Sequence, residues 1–137
     1  MLRYKASYYE VTMSVAIVTS SISCLPSDLA TRYGIKVVPL PFMLNGHSFL
    51  DGVNISATEV YKQLAYKLPF RTSAPAPGDF IKAYQKVSNK SKNIICLTVS
   101  SKLSTMYDSA CDAAKQMPAD ISMSALLTPV PQPEHRR

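Results

Sequence analysis

Two short apolar runs, each followed by a hydroxyl-rich turn and then a helix-like segment, constrain the fold most strongly. Residues 15–19 read Val-Ala-Ile-Val-Thr, and residues 93–99 read Asn-Ile-Ile-Cys-Leu-Thr-Val. Uninterrupted apolar runs of this length are typical of parallel strands that are buried on both faces. Because such strands alternate with helix-like segments, the sequence predicts an α/β domain with a mainly parallel sheet flanked by helices.

Four segments have the apolar spacing of amphipathic helices. The first ends before Gly34, the second begins at a capping box formed by Ser56 and Glu59, the third begins at Pro77, and the last runs from Leu103 to Met117. Residues 35–44 are predicted as one strand at a sheet edge or bulge, since they contain two prolines. Asn45-Gly46 predicts a tight turn into a return strand at residues 47–50, and residues 69–76 are predicted as an extended loop.

The ends of the chain lack this pattern. Residues 1–14 are predicted as an unpatterned leader, and residues 15–117 as the α/β domain. Residues 118–137, which contain four prolines and a charged end, are predicted as a mostly irregular tail.

The composition argues against several function classes. The formal charge of +6 comes from 15 Lys and Arg against 9 Asp and Glu, but these bases are scattered, so we expect no nucleic-acid surface. No apolar run is long enough for stable membrane insertion, and no signal peptide is evident. Three cysteines without a Cys-x-x-Cys pair, of which Cys96 and Cys111 fall at core positions, predict a reducing, cytoplasmic setting.

Two hydroxyl-rich turns are the candidate functional elements. Residues 71–75 contain Thr72 and Ser73, and residues 100–104 contain Ser101 and Ser104. Both turns precede predicted helices, whose first turns present unpaired N–H groups and the positive end of the helix dipole. Two such ends that converge would hold a small anion, such as a carboxylate or a phosphate.

The same segments resemble the DegV family. Residues 15–26 are similar to its opening strand and loop, residues 33–40 to its second segment, and residues 51–56 to its next turn. Thr72-Ser73-Ala74-Pro75 matches the family's Thr-Ser-x-Pro motif, and residues 100–104 match the start of its Ser-Ser-x-Leu-Ser-Gly-Thr-Tyr motif. The resemblance extends from about residue 15 to residue 117.

This resemblance implies a protein that holds a long-chain fatty acid, such as palmitate, by its carboxylate. It implies Thr72 and Ser104 as carboxylate ligands, with Ser73 and Ser101 as neighbours, and no cofactor. It also implies a non-catalytic role, in which the bound acid is presented to a separate fatty-acid kinase.

The chain departs from the family pattern in ways that define an alternative. The family's Gly after Leu-Ser is Thr105 here, and the usual Ser before Pro77 is Ala76. The resemblance leads us to expect a carboxyl-terminal domain that completes the lipid cavity, and this domain is predicted to be missing. The alternative is therefore a truncated DegV-like domain without independent lipid binding.

A hydrolase is the competing enzyme class. Its nucleophile would be Ser104 or Cys24, and its general base would be His47 or His135, the two histidines of the chain. No Gly-x-Ser-x-Gly elbow, Walker loop or metal-ligand cluster occurs. The sequence thus favours a binding protein over an enzyme.

Overall fold

The structure is a computed structural model, and it describes residues 14–126. Strands and α-helices follow one another along this part of the chain. They are β1 (Val15–Ser20), α1 (Ser27–Arg32), β2 (Lys36–Val38), β3 (Pro41–Leu44), β4 (His47–Leu50), α2 (Ala57–Ala65), β5 (Phe70–Thr72), α3 (Pro77–Ser88), β6 (Asn93–Val99), α4 (Met106–Ala114) and β7 (Asp120–Leu126). A short 3₁₀ turn, Ser21–Ser23, follows β1.

Four strands form a parallel sheet in the order β2-β1-β6-β7. Val18 of β1 pairs with Lys36 of β2 and with Cys96 of β6, and Cys96 pairs with Met123 of β7. Strand β6 has the bounds that the sequence predicts. The predicted fold class, a mainly parallel sheet flanked by helices, is confirmed.

Helices α3 and α4 cover one face of this sheet and form the core with it. Phe80 and Tyr84 of α3 and Met106 of α4 are fully buried against Val18 and Cys96. The hydroxyl of Tyr84 donates a hydrogen bond to the carbonyl oxygen of Ala110 at 3.2 Å. Burial raises the pKa of the Tyr84 hydroxyl, and it raises the pKa of the Cys96 thiol to about 11. Cys96 is thus a core residue, as predicted, whereas Cys111 is half-buried.

The opposite face of the parallel sheet is covered more thinly. The chain leaves β1 toward β2 and leaves β6 toward β7, so right-handed crossovers place α1 on the face opposite to α4. On that face Val15 is 48% exposed and Ile95 is 36% exposed. Strands β1 and β6 therefore separate two differently covered layers.

A second, antiparallel sheet in the order β4-β3-β5 corrects two sequence predictions. Residues 35–44 are not one strand, because Pro39 interrupts them and Pro41, which has no N–H group, opens β3 in the second sheet. Residues 70–72 are not loop but β5, where Phe70 packs on Phe42 with ring centroids 5.3 Å apart. The predicted turn at Asn45-Gly46 is confirmed, with φ angles of 50° and 79°.

The predicted helices are present, with differences at their starts. The Ser56 side chain accepts a hydrogen bond from the Glu59 N–H at 3.2 Å, but the Glu59 carboxylate accepts from Gln63 instead of returning to Ser56. Helix α4 is shorter than predicted at both ends. Leu103 lies in the preceding turn, where it is 69% exposed. No helix within residues 14–126 is long and apolar enough to cross a membrane.

The predicted irregular tail is wrong for residues 120–126, which form β7 and pair with β6 along its whole length. Ile121 and Met123 pack against the core, while Asp120 and Ser122 are exposed. This alternation is the two-residue period of a half-buried strand, although flanking prolines obscure it in the sequence. The rest of the predicted tail, residues 127–137, and residues 1–13 of the predicted leader lie outside the described residues.

Candidate ligand-binding site

A cavity of about 570 Å³ lies at the carboxyl ends of β1 and β6. The chain departs in opposite directions after these adjacent strands, and such switch points are where open α/β sheets bind ligands. The cavity is bounded by the turn after β1, the segment after β5 and the turn after β6. Its lining residues are Ile22, Leu40, Thr72, Ser73, Ala74, Val99, Leu103, Ser104 and Thr105.

Thr72 and Ser73 reach the cavity from the antiparallel sheet. Thr72 is the last residue of β5 and pairs with Phe42 of β3. The next residue, Ser73, is fixed by its N–H, which donates to the carbonyl oxygen of Pro41 at 3.1 Å. The Ser73 hydroxyl donates to the same oxygen at 3.4 Å, whereas within residues 14–126 the Thr72 hydroxyl has no hydrogen-bond partner. Thr72 can therefore donate to a ligand without losing a protein contact.

Ser104 reaches the cavity from the turn between β6 and α4. Its side-chain oxygen accepts a hydrogen bond from the Met106 N–H at 3.1 Å, so its own proton remains available as a donor. The turn is held by buried Ser100, whose carbonyl oxygen accepts from the N–H groups of Leu103 and Ser104 at 2.9 and 3.2 Å. Ser104, which is half-buried, thus combines a fixed position with an available hydroxyl proton.

Ser101 is not brought to this cavity. It lies exposed in the turn after β6 and does not belong to the lining residues. The structure therefore brings together three of the four candidate residues, Thr72, Ser73 and Ser104.

The predicted contribution of two helix starts needs correction. Thr72 ends a strand, and α3 begins only at Pro77, where the Asp79 carboxylate accepts from the Ala76 N–H at 3.1 Å. That N–H is therefore already satisfied. Helix α4 does begin next to the cavity, because Ser104 accepts from its first residue. One helix start, not two, supports the hydroxyls.

The cavity wall is neutral. In the part of the chain that the structure describes, none of its lining residues is charged. Hydroxyl and N–H donors can satisfy the oxygens of a buried carboxylate without a buried cation. The site is therefore suited to an anion that is held by hydrogen bonds.

Sequence reasoning did not identify the apolar part of the cavity. Leu40 is positioned because its N–H donates to the Ser21 side chain at 2.9 Å. Ile22 lies in the turn after β1, and Val99 ends β6. The signal that could have identified them is their place directly after the strand carboxyl ends. Thr105, which replaces the family's Gly, also lies on the cavity wall.

The residues of the hydrolase hypothesis lie apart. His47 is exposed at the start of β4 and pairs with Leu44, and it does not line the cavity that contains Ser104. Cys24 lines a different cavity. His135 lies outside the described residues.

Comparison with known proteins gives a consistent result. The sequence profile of a family described as "Uncharacterised protein, DegV family" matches residues 14–124. A DegV domain-containing protein of Clostridium perfringens is 38% identical over 97 residues, which are 69% of this chain and 34% of the relative. This chain thus spans about a third of that relative's length.

Solved structures show the same pattern. A DegV family protein from Thermus thermophilus, described for its fatty acid binding, is 33% identical with a TM-score of 0.75, over 82% of this chain and 41% of that one. A Thermotoga maritima protein, described as revealing a fatty acid binding function, is 30% identical with a TM-score of 0.70, over 81% and 42%. The matched part is less than half of each solved chain.

Proposed function

The chain belongs to the DegV family, and we propose on that premise that it binds a long-chain fatty acid, such as palmitate, by its carboxylate. The observation that carries the proposal is that Thr72 and Ser104, from separate sheets, line one neutral cavity and both have a hydroxyl proton to donate. The fatty acid binding described for the Thermus thermophilus relative supports it.

The carboxylate is the part of the ligand that the hydroxyls orient. Burying an ionised carboxylate without hydrogen bonds costs several kcal/mol or more. In the proposed complex, Thr72 and Ser104 donate to its two oxygens, and Ser73 is a weaker neighbour because its proton already points to Pro41. Ser101 lies outside the cavity, so it would contribute only by shaping the turn that also contains Ser104.

The acyl tail supplies most of the affinity. Burial of apolar surface contributes about 0.8 kcal/mol per methylene group. Leu40 and Val99 provide half-buried apolar wall next to the hydroxyls, and Leu103 and Ile22 provide exposed apolar surface. The tail therefore extends over these side chains, away from Thr72 and Ser104.

The chain's role is binding rather than catalysis. A carboxylate held by neutral hydroxyls is stabilised but not phosphorylated there, because none of the described cavity residues carries a charge that could hold a transferring phosphoryl group. We infer that the bound acid is offered to a separate fatty-acid kinase, which would perform the phosphoryl transfer. We also infer a cytoplasmic location from the three free cysteines.

The test is lipid content and lipid response of the purified 137-residue chain. Native mass spectrometry should detect a co-purified fatty acid, and added palmitate should raise the melting temperature. Thr72→Val with Ser104→Ala should weaken palmitate binding while far-ultraviolet circular dichroism stays unchanged. Undiminished palmitate affinity in that double variant would remove the site assignment.

A specific observation favours a second candidate, a DegV-like domain without independent lipid binding. Leu103 is 69% exposed and Ile22 is 39% exposed at the cavity, and the chain spans 41% of the Thermus thermophilus relative. A tail that crosses these residues is incompletely covered by the described chain. Absence of both co-purified fatty acid and a palmitate-induced melting shift would establish this candidate instead.

A further inference from the structure

A larger cavity, of about 780 Å³, is lined by Ser21 and Pro39, whose chain neighbours Ile22 and Leu40 line the cavity of Thr72, Ser73 and Ser104, called here the hydroxyl cavity. We call the larger cavity the β2 groove, because it runs beside β2, one of the two edge strands of the parallel sheet. Helix α1, the turn at Asp51–Val53 and the end of α3 form its other walls. Its volume is in the range of small-molecule sites, and it shares no lining residue with the hydroxyl cavity.

The walls of the β2 groove are mainly apolar. Apolar side chains line it from four parts of the chain: Leu25 and Ala30 around α1, Ile35, Val37 and Pro39 around β2, Val53 in the turn, and Val87 on α3. Val87 is buried, whereas Ile35 and Val37 are half-buried and Val53 is 65% exposed. An apolar ligand would therefore remove existing hydrophobic surface from water.

The charges of the β2 groove are mostly positive. Lys36 on β2 and Lys86 and Lys90 near the end of α3 line it, against one acidic residue, Asp51. None of these lysines forms an ion pair with a residue in the range 14–126, where the ion pair present is Lys115–Asp112. Three cations from two elements thus border one apolar groove.

The positive border continues beyond the groove. An adjoining cavity of about 190 Å³ is lined by Lys36 and Lys86 again, and by Lys82. Its acidic residue, Asp79, is engaged by the Ala76 N–H. Lysine stripes are commonly solvated surface, but here the stripe borders an apolar groove.

We propose that the β2 groove is a second ligand site, which takes a monomeric amphipathic anion. The apolar part of the ligand lies against Leu25, Val37 and Val53, and its charged head lies between Lys36, Lys86 and Lys90. This class of ligand follows from the presence of apolar walls and three lysines in one groove. The proposal is independent of fatty-acid binding at Thr72 and Ser104.

The test uses laurate as the probe and the complete 137-residue chain, isotopically labelled for amide nuclear magnetic resonance. Laurate below its micelle concentration should shift the amides of Ile35, Val37 and Val53. Dodecanol, which has the same chain length without the charge, should bind there with an affinity that is lower by about fivefold or more. Equal affinity for laurate and dodecanol, or no shift of these amides with laurate, would overturn the proposal.

Two sets of variants separate this site from others. Lys86→Gln with Lys90→Gln should lower the affinity for laurate at the β2 groove by about fivefold, because each exposed ion pair with the ligand contributes only modestly. Lys62→Gln with Lys67→Gln removes the same charge elsewhere and should leave the affinity unchanged. If both double substitutions lowered the laurate affinity equally, the site assignment would be overturned, because the loss of net charge alone would explain the effect.

The hydroxyl cavity provides the remaining control. Thr72→Val with Ser104→Ala should abolish the laurate shifts near Val99 and Thr105, and leave those of Ile35, Val37 and Val53 intact. Loss of both sets in this variant would overturn a separate second site. In the unsubstituted chain, laurate shifts at Ile35, Val37 and Val53 without shifts near Val99 and Thr105 would contradict the proposed function and support this inference.

Discussion

The hydroxyls of Ser104 and Ser73 line one cavity but are used differently. The Ser104 oxygen accepts from the Met106 N–H, which leaves its proton available to a carboxylate. The Ser73 proton points to the Pro41 carbonyl oxygen, so Ser73 has acceptor capacity in a place where a carboxylate needs donors. Their contributions to ligand affinity should therefore differ.

Ser104→Ala should weaken palmitate binding by about tenfold or more, because a hydrogen bond to a charged group contributes about 1.5–3 kcal/mol. Ser73→Ala should change it less than about twofold. Isothermal titration calorimetry with the purified chain measures both. Ser101→Ala is the matched control and should have no effect, while Ser104→Thr should restore binding. Equal losses for Ser73→Ala and Ser104→Ala would contradict these roles.

Single residues also show what the sequence could predict about this site. The hydroxyls of Thr72 and Ser104 stand out because they follow recognisable breaks between apolar segments. Ser101 looks equivalent to Ser104 in the sequence, but the turn held by Ser100 exposes it away from the cavity. The direction of a side chain in a turn depends on hydrogen bonds that a spacing pattern does not contain.

Among the elements, the β3–β4 hairpin contains a turn whose backbone angles restrict which residues can occupy it. Asn45 and Gly46 both have positive φ angles, 50° and 79°. This is the arrangement that joins two antiparallel strands through a two-residue turn, and side chains beyond Asn and Asp tolerate it poorly. Gly78, in contrast, lies in the first turn of α3 with open space where a Cβ would stand.

Gly46→Ala should lower the free energy of unfolding by about 1–2 kcal/mol, since a left-handed conformation costs an L-residue that much. Gly78→Ala is the matched control and should raise it by about 0.5–1 kcal/mol, because alanine loses less backbone freedom in a helix. Urea unfolding followed by circular dichroism measures both changes. The same sign for the two substitutions would refute this account of the turn.

Helices and strands were predictable from the sequence where their own apolar residues show which element forms. Strands β1 and β6 were predicted closely because each is a short, uninterrupted apolar run, and helix α3 because its apolar residues repeat with the helical period. The hairpin of the second sheet was predicted from Asn45-Gly46, but its third strand was not, since β5 has three residues and is held by Phe70 against Phe42 across the chain. Strand β7 likewise depends on pairing with β6, which local composition does not reveal.

At the scale of the whole molecule, two buried acids couple stability to alkaline pH. Burial raises the pKa of the Cys96 thiol from 9.0 to about 11, and it raises the pKa of Tyr84 above its usual 10.0. Above pH 9 the unfolded chain loses the Cys96 proton while the folded chain retains it. The unfolded state then binds fewer protons, so stability falls as pH rises.

The free energy of unfolding should therefore be level from about pH 6 to 8 and fall above about pH 9, by at most about 1.4 kcal/mol per pH unit for each group. The urea midpoint should fall with it. Circular dichroism in the presence of a reductant measures it. Cys96→Ala and Tyr84→Phe each remove one titrating group and should reduce the slope. The midpoint of the unsubstituted chain at pH 10 should lie below its value at pH 7, and equal values would contradict the prediction.

The division of the molecule into two sheets has a consequence for what a bound ligand would connect. Thr72 belongs to the antiparallel sheet and Ser104 follows the parallel one, and no strand in the described range pairs across the two. The chain passes between the two sheets twice, at residues 39–40 and again at residues 73–76, and the Ser21–Leu40 hydrogen bond lies beside the first of these segments. A carboxylate that accepts from both hydroxyls would therefore bridge two sheets that no strand ladder joins.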